Sequence, residues 1–242
     1  MGSEMCIRDR INWKKPDSFE CIGAGHDPVF TPLFGFSSDG IAQYLDTQWF
    51  PIVGSKLAQN NGSFFAGVEE FVYTGGGDGV NMVCGNGISS GGCFYGMPSA
   101  GYVYGDTNSG GGNFEFVPLP VGFALIQRTS SADKKRYLNG VVQSTLAEVS
   151  TVIDPIPVYL HAQNLVPAGR FSKSTLSVWG AGGSLTGKES ALYNSWNGYK
   201  SATTAAIAYK KILDYAVLQG YSVPSTQPVS YTHLRAHETP EH

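Results

Sequence analysis

Few residues of this chain have a type and spacing that could do covalent chemistry. Hydrolysis of a glycosidic bond with retention needs two carboxyl groups facing one cleft, roughly 5 Å apart. Glu69 and Glu70 are neighbours in a run of strand-forming residues. Alternation sends adjacent strand residues to opposite faces, so they do not form that pair. Glu115 stands alone between Phe114 and Phe116, at an expected solvent-facing position. His161 sits beside Leu160 in an apparent strand and reads as a structural imidazole, and His26 with Asp27 falls in an irregular stretch. Cys84 and Cys93 are close enough in sequence to be cross-strand neighbours, and buried free thiols are expected unless the chain is exported. There is no Cys-x-x-Cys zinc spacing. The glycines around Gly75–Gly79 lack the Gly-Lys-Ser/Thr of a phosphate loop. Lys134-Lys135-Arg136 reads as a solvated turn. What remains is aromatic. Trp49, Tyr95, Tyr102 and Tyr104 lie near glycine-rich segments, where a ring can stack on the apolar face of a sugar. Core packing is the competing role for each.

The composition says what kind of scaffold must hold these rings. Of 242 residues only 14% are charged, while glycine accounts for 31. Low charge with abundant glycine and aromatics suits an all-β domain with many tight turns, and argues against a disordered chain or a helical bundle. The net charge of −3 gives no general attraction to nucleic acid or to an anionic membrane. No apolar run approaches the roughly 20 residues of a membrane-spanning helix.

Both ends read as foreign. Met5-Cys6-Ile7-Arg8-Asp9 is the in-frame translation of a transposon end used in sequencing adapters, and Val229 to Thr239 is the translation of its reverse complement. The expected layout is therefore an adapter-derived tail at 1–10, an irregular segment at 11–32, a folded domain at 33–199, a helix and linker at 200–228, and a second adapter-derived tail at 229–242. The histidines of the C-terminal tail, His233 and His237 among them, are accordingly not read as metal ligands.

Within the folded part, strands are expected at Ile41–Thr47, Gly62–Tyr73, Val80–Cys84, Cys93–Tyr104, Asn113–Val117, Val121–Thr129, Pro157–Ala162 and Thr175–Trp179, with a mobile loop at Gly105–Gly112. Asn139-Gly140 between Tyr137-Leu138 and Val141-Val142 predicts a two-residue hairpin, because both residues accept the positive φ of a type I′ turn. Thr186 with Glu189 three residues later predicts a capping box opening a helix that carries Leu192, Tyr193 and Trp196 on one face. A second helical stretch is expected at Thr204–Leu218, ended by Gly220.

The order of these signals carries a resemblance. The opening strand with Tyr44-Leu45-Asp46-Thr47, the Tyr137-x-Asn139-Gly140 hairpin and the Leu185-Thr186-x-x-Glu189-x-x-Leu192-Tyr193 helix start together resemble the laminin-G-like branch of the concanavalin A-like lectin/glucanase domains. The resemblance covers 33–199 and is nearest to divergent bacterial and phage members. It implies an antiparallel two-sheet jelly-roll sandwich, here with a C-terminal helical appendage. It also implies ligand binding at a sandwich edge or on a concave face. Hydrolases of this superfamily carry a Glu-x-Asp-x-(x)-Glu pattern that this chain lacks. Calcium held at one edge by aspartates is implied as an option, for which Asp39, Asp46, Asp78 and Asp106 are the candidates. The expected function is a non-catalytic recognition or structural module of a larger virion or bacterial-surface protein, with a glycan or a surface protein as partner. A purely structural interaction domain is the alternative.

Overall fold

The computed structural model describes residues 22–23, 27–31, 34–51, 57–75, 80–87, 93–99, 102–107, 115–116, 121–165 and 167–218. Both expected tails lie outside them. The described chain forms two seven-stranded sheets. The first runs β1 (Ile22–Gly23), β4 (Leu45–Asp46), β13 (Tyr159–Leu160), β6 (Asn81–Gly85), β7 (Cys93–Ser99), β8 (Tyr102–Thr107) and β9 (Glu115–Phe116). The second runs β12 (Val141–Leu146), β11 (Asp133–Leu138), β10 (Gly122–Ser130), β5 (Gly62–Val72), β16 (Lys173–Gly182), β3 (Gly35–Ser37) and β2 (Val29–Thr31). A small pair, β14 (Gln163–Asn164) with β15 (Ala168–Gly169), follows β13, and a helix, α1 (Glu189–Leu218), closes the described chain. The strand ladders are antiparallel. The architecture is the expected antiparallel two-sheet sandwich with a C-terminal helix.

Alternation builds the core between the sheets. From the second sheet come Phe64, Ala66, Val68, Ala124, Ile126 and Leu176; from the first come Leu45, Val83, Cys84, Tyr95 and Leu160. Each large apolar side chain removed from water contributes roughly 1.5–3 kcal/mol. The opposite face of the second sheet carries Phe123, Leu125, Phe65 and Tyr137, and the first turns of α1 cover it with Leu192, Tyr193 and Trp196. Phe123 lies 5.2 Å from the Trp196 ring and 5.4 Å from Phe65. The chain divides into two compact units, Met1–Asn197 and Gly198–His242, so these packed turns belong to the first.

The β11–β12 hairpin forms as expected. Asn139 and Gly140 have φ of 52° and 77°, and the Asn139 side-chain oxygen accepts the Phe123 backbone N–H at 2.9 Å. Five expectations are corrected. Only Leu45–Asp46 of the Ile41–Thr47 run is strand, because Asp39 draws the backbone N–H groups of Ile41, Ala42 and Gln43 into a turn. Gly105–Thr107 belongs to β8 rather than to a loop. His161 lies just past β13, at a positive φ of 65°. The helix is one continuous element from Glu189 rather than two. The capping box does not form: Lys188 supplies the carbonyl that accepts the Leu192 N–H, and Gly187 at φ 75° makes the turn before it.

A further correction concerns charge. Lys134 is 2% and Arg136 7% exposed. They lie on β11 at inward positions, opposite Arg128 and Ile126 of β10, and Lys135 between them faces out. Strand alternation thus splits a run that reads as one solvated patch. Oxygen atoms receive two of these buried cations. Arg128 donates to the Thr107 and Glu148 carbonyls at 3.1 and 2.7 Å, and Lys134 donates to the Glu148 carboxylate at 2.5 Å.

Candidate functional site

The registers define two rows across the first sheet. Leu45, Leu160, Cys84, Tyr95 and Gly105 stand opposite one another on successive strands. Those of them that carry large side chains are all buried, so this row faces the other sheet. The adjacent row, Asp46, Tyr159, Gly85, Phe94 and Asp106, therefore lies on the outer face. Tyr102 and Tyr104 alternate with Gly105 along β8, which places their positions on that outer face too.

At the β4–β13 end this face carries an aromatic cluster. Tyr44, two residues before Asp46, stacks on Tyr159 with ring centroids 4.7 Å apart and planes 29° from parallel. Phe171 tilts against Tyr44 at 6.1 Å. All three, with Asp46, are half-buried. Local hydrogen bonds pin them. The Thr47 hydroxyl donates to the Val158 carbonyl at 2.8 Å and locks β4 to the strand carrying Tyr159. Asn81, fully buried, donates to the Phe171 carbonyl at 2.7 Å. The Gln48 N–H, on a residue at φ 52°, donates to Asp46 Oδ1 at 2.7 Å.

The electrostatics follow from this crowding. Burial pushes the Asp46 carboxyl above its ordinary value, and the Gln48 hydrogen bond only partly opposes the shift. Burial also raises the Tyr159 phenol, helped by the Asp46 charge and the neighbouring Tyr44 hydroxyl. An aromatic surface with an adjacent carboxylate can hold a polyhydroxylated ring by stacking and hydrogen bonding.

The expected site residues divide accordingly. Tyr95 is corrected to a core position: it is 2% exposed, and burial drives its phenol far up, because its place in the ladder faces inward. Trp49 is half-buried, edge-on to Trp179 at 5.7 Å and packed against the main core. Tyr102 and Tyr104 share the outer face as backbone positions. Tyr44, Tyr159 and Phe171 are not among the expected site residues. Tyr44 and Tyr159 were visible only as strand residues more than a hundred positions apart, and nothing local pairs them.

The described residues do not bring Asp46 and Asp106 together. Asp39 Oδ1 is engaged by three backbone N–H groups of its own turn. Asp46 and Asp106 stand at opposite ends of one row, four strand spacings or ~19 Å apart. Asp78 lies outside the described residues. Among those residues no three His, Cys, Asp or Glu side chains gather as ligands.

The catalytic readings fare as follows. Register shifts in the β16 pairing leave Glu69 out of the ladder between Val68 and Glu70, so simple alternation does not govern that pair. Gly87-Ile88-Ser89-Ser90-Gly91 spells a nucleophile-elbow pattern, and residues 88–91 lie outside the described residues. Cys84 is a buried free thiol, pushed up to about 12 by burial, and faces Tyr95 across the ladder rather than Cys93. His161 is wholly buried, with Nδ1 2.9 Å from the Ser174 hydroxyl.

No protein-family model and no curated protein sequence matches this chain. Solved structures do resemble it. The binding domain of botulinum neurotoxin DC in complex with SialylT aligns with a TM-score of 0.50 at 12% identity, over 73% of this chain and 46% of that one. A botulinum neurotoxin type C structure, whose cell entry depends on interaction with two ganglioside molecules, gives 0.47 at 13% identity over 73% and 46%. A candidate carbohydrate binding protein from Bacteroides ovatus gives 0.40 at 14% identity over 55% and 39%. The chain thus spans less than half the length of each. At 12% identity the first of these likenesses concerns the fold alone.

Proposed function

We propose that this chain is a non-catalytic glycan-recognition module of a larger virion or bacterial-surface protein. The observation that supports it most is the half-buried aromatic cluster of Tyr44, Tyr159 and Phe171 on the outer face of the first sheet. Fold neighbours that bind carbohydrate agree with the reading. Binding of the whole chain to a glycan array, with and without added calcium, tests it. The expected result is a set of related glycans bound with no release of reducing ends from any of them. An empty array overturns the glycan assignment, and new reducing ends overturn the non-catalytic one.

A second reading has one supporting observation. Helix α1 runs on to Leu218, beyond Asn197, where the first unit ends. A structural interaction domain joined to neighbours through 204–218 would lose assembly, and keep its sandwich, when that segment is deleted.

A further inference from the structure

We infer that Tyr44, Tyr159 and Asp46 form a subsite for a neutral pyranose ring, one that discriminates against acidic sugars. The inference rests on the glycan-recognition reading and deepens it by naming the residues and the class of sugar.

A pyranose presents two kinds of surface. One face is a patch of C–H groups, and the rim is a ring of hydroxyl donors and acceptors. A site for it needs an aromatic platform beside at least one oriented acceptor. Tyr159 and Asp46 meet that need by register, because they are directly opposite on neighbouring strands and hence about 5 Å apart at the backbone. On the other flank of Tyr159 the opposite residue is Gly85. Tyr44 backs Tyr159 by stacking and extends the aromatic surface toward Phe171.

Asp46 is also oriented. The Gln48 N–H holds Oδ1, which leaves Oδ2 without a hydrogen-bond partner among the described residues. A carboxylate oxygen in that position accepts from sugar hydroxyls, and hydrogen bonds to a charged acceptor are the stronger kind. The backbone beneath is held before any ligand arrives, by Thr47 to Val158 on one side and by Asn81 to Phe171 on the other. Little ordering is then needed on binding.

The same carboxylate sets selectivity. A uronic or sialic acid in this subsite would bring a second negative charge beside Asp46 in a half-buried setting, where repulsion is weakly screened. A neutral hexose meets no such penalty.

The test uses the full chain and three conservative variants: Asp46→Asn, Tyr159→Phe and Tyr159→Ala. Each is probed against neutral and acidic oligosaccharides after near-ultraviolet circular dichroism confirms its fold. Wild type is expected to bind neutral glycans and not acidic ones. Asp46→Asn should weaken neutral binding ~10-fold or more and narrow the gap to acidic glycans. Tyr159→Ala should abolish binding, while Tyr159→Phe, which keeps the ring, retains most of it. If Tyr159→Ala does not fold, shifts of the Tyr159 ring protons on adding the bound glycan to wild type decide the same point. Neutral binding untouched by Asp46→Asn and Tyr159→Ala would overturn this subsite and leave the glycan reading standing. Preference for acidic glycans would overturn the neutral assignment. Binding to no glycan at all would remove the underlying reading and this inference with it.

Discussion

Tyr159 and Asp46 stand directly opposite one another on adjacent antiparallel strands, on the face of the first sheet turned away from the core. Their neighbours in sequence, Leu160 and Leu45, form the next pair of the same ladder and are buried. One step of strand alternation thus separates the hydrophobic core from the candidate site, and a one-residue slip in register would exchange them.

Because burial raises the Asp46 carboxyl, glycan binding should weaken with acid from a higher pH than an ordinary exposed aspartate would set. The sign follows from the acceptor role: the ionised form binds, and its loss as pH falls removes the hydrogen bonds. Affinity for a neutral glycan measured across pH should show this decline, and Asp46→Asn should flatten it. An unchanged decline in that variant would place the titrating group elsewhere.

Glu189 anchors the start of α1 to the second sheet. Its Oε1 accepts from Gln127 Nε2 at 2.9 Å and from the Tyr137 hydroxyl at 3.1 Å. Burial pushes this carboxyl up, but the hydrogen bonds from the Glu189 and Gly187 backbone and from Gln127 and Tyr137 outweigh it, leaving the group below its usual value. A depressed carboxylate contributes stability that is present above the unfolded value, near 4.5, and is lost as pH falls through the folded one. Glu189→Ala should cost roughly 2 kcal/mol, about the strength of one hydrogen bond to a charged group, and loosen the packing around Trp196. Denaturant titration followed by tryptophan fluorescence measures both.

The Lys134–Glu148 pair predicts an asymmetry. Lys134 is 2% exposed and Glu148 19%. Glu148→Ala leaves an ammonium in the interior and should cost about 3 kcal/mol. Lys134→Met removes the buried charge, and the remaining carboxylate can regain water, so it should cost less. Melting temperatures of the two variants check the order, and equal losses would mean that the attraction is minor.

His161 makes stability depend on acid. Burial lowers the imidazole to about 3 from 6.5. The native state therefore refuses the proton that the unfolded chain accepts. Stability is full above 6.5 and falls as pH drops toward 3, at about 1.4 kcal/mol per pH unit from this group alone. Urea unfolding at a series of pH values should show that slope reduced by one proton in His161→Asn. A slope that does not change would place the acid sensitivity in other groups.

Much of this protein was legible one segment at a time. Runs of aromatic and β-forming residues in Gly62–Val72 and Gly122–Ser130, and the positive-φ pair Asn139-Gly140, determined strands and a hairpin because each acts within a few residues. Local pattern failed where contacts from afar decided. Glu189 takes hydrogen bonds from Gln127 and Tyr137 of the second sheet, partners that no local pattern names. Lys134 and Arg136 went inside because the register sets them opposite Arg128 and Ile126 on the inward face of β10, where the Glu148 carboxylate meets Lys134. Tyr95 went inside because its register neighbour is Cys84. The candidate site belongs wholly to this second kind. Tyr44 and Asp46 meet Tyr159 only because the ladder of the first sheet brings together residues more than a hundred positions apart. Sequence spacing carries no trace of such a pairing, whose cost in chain entropy is offset only when the whole sandwich closes.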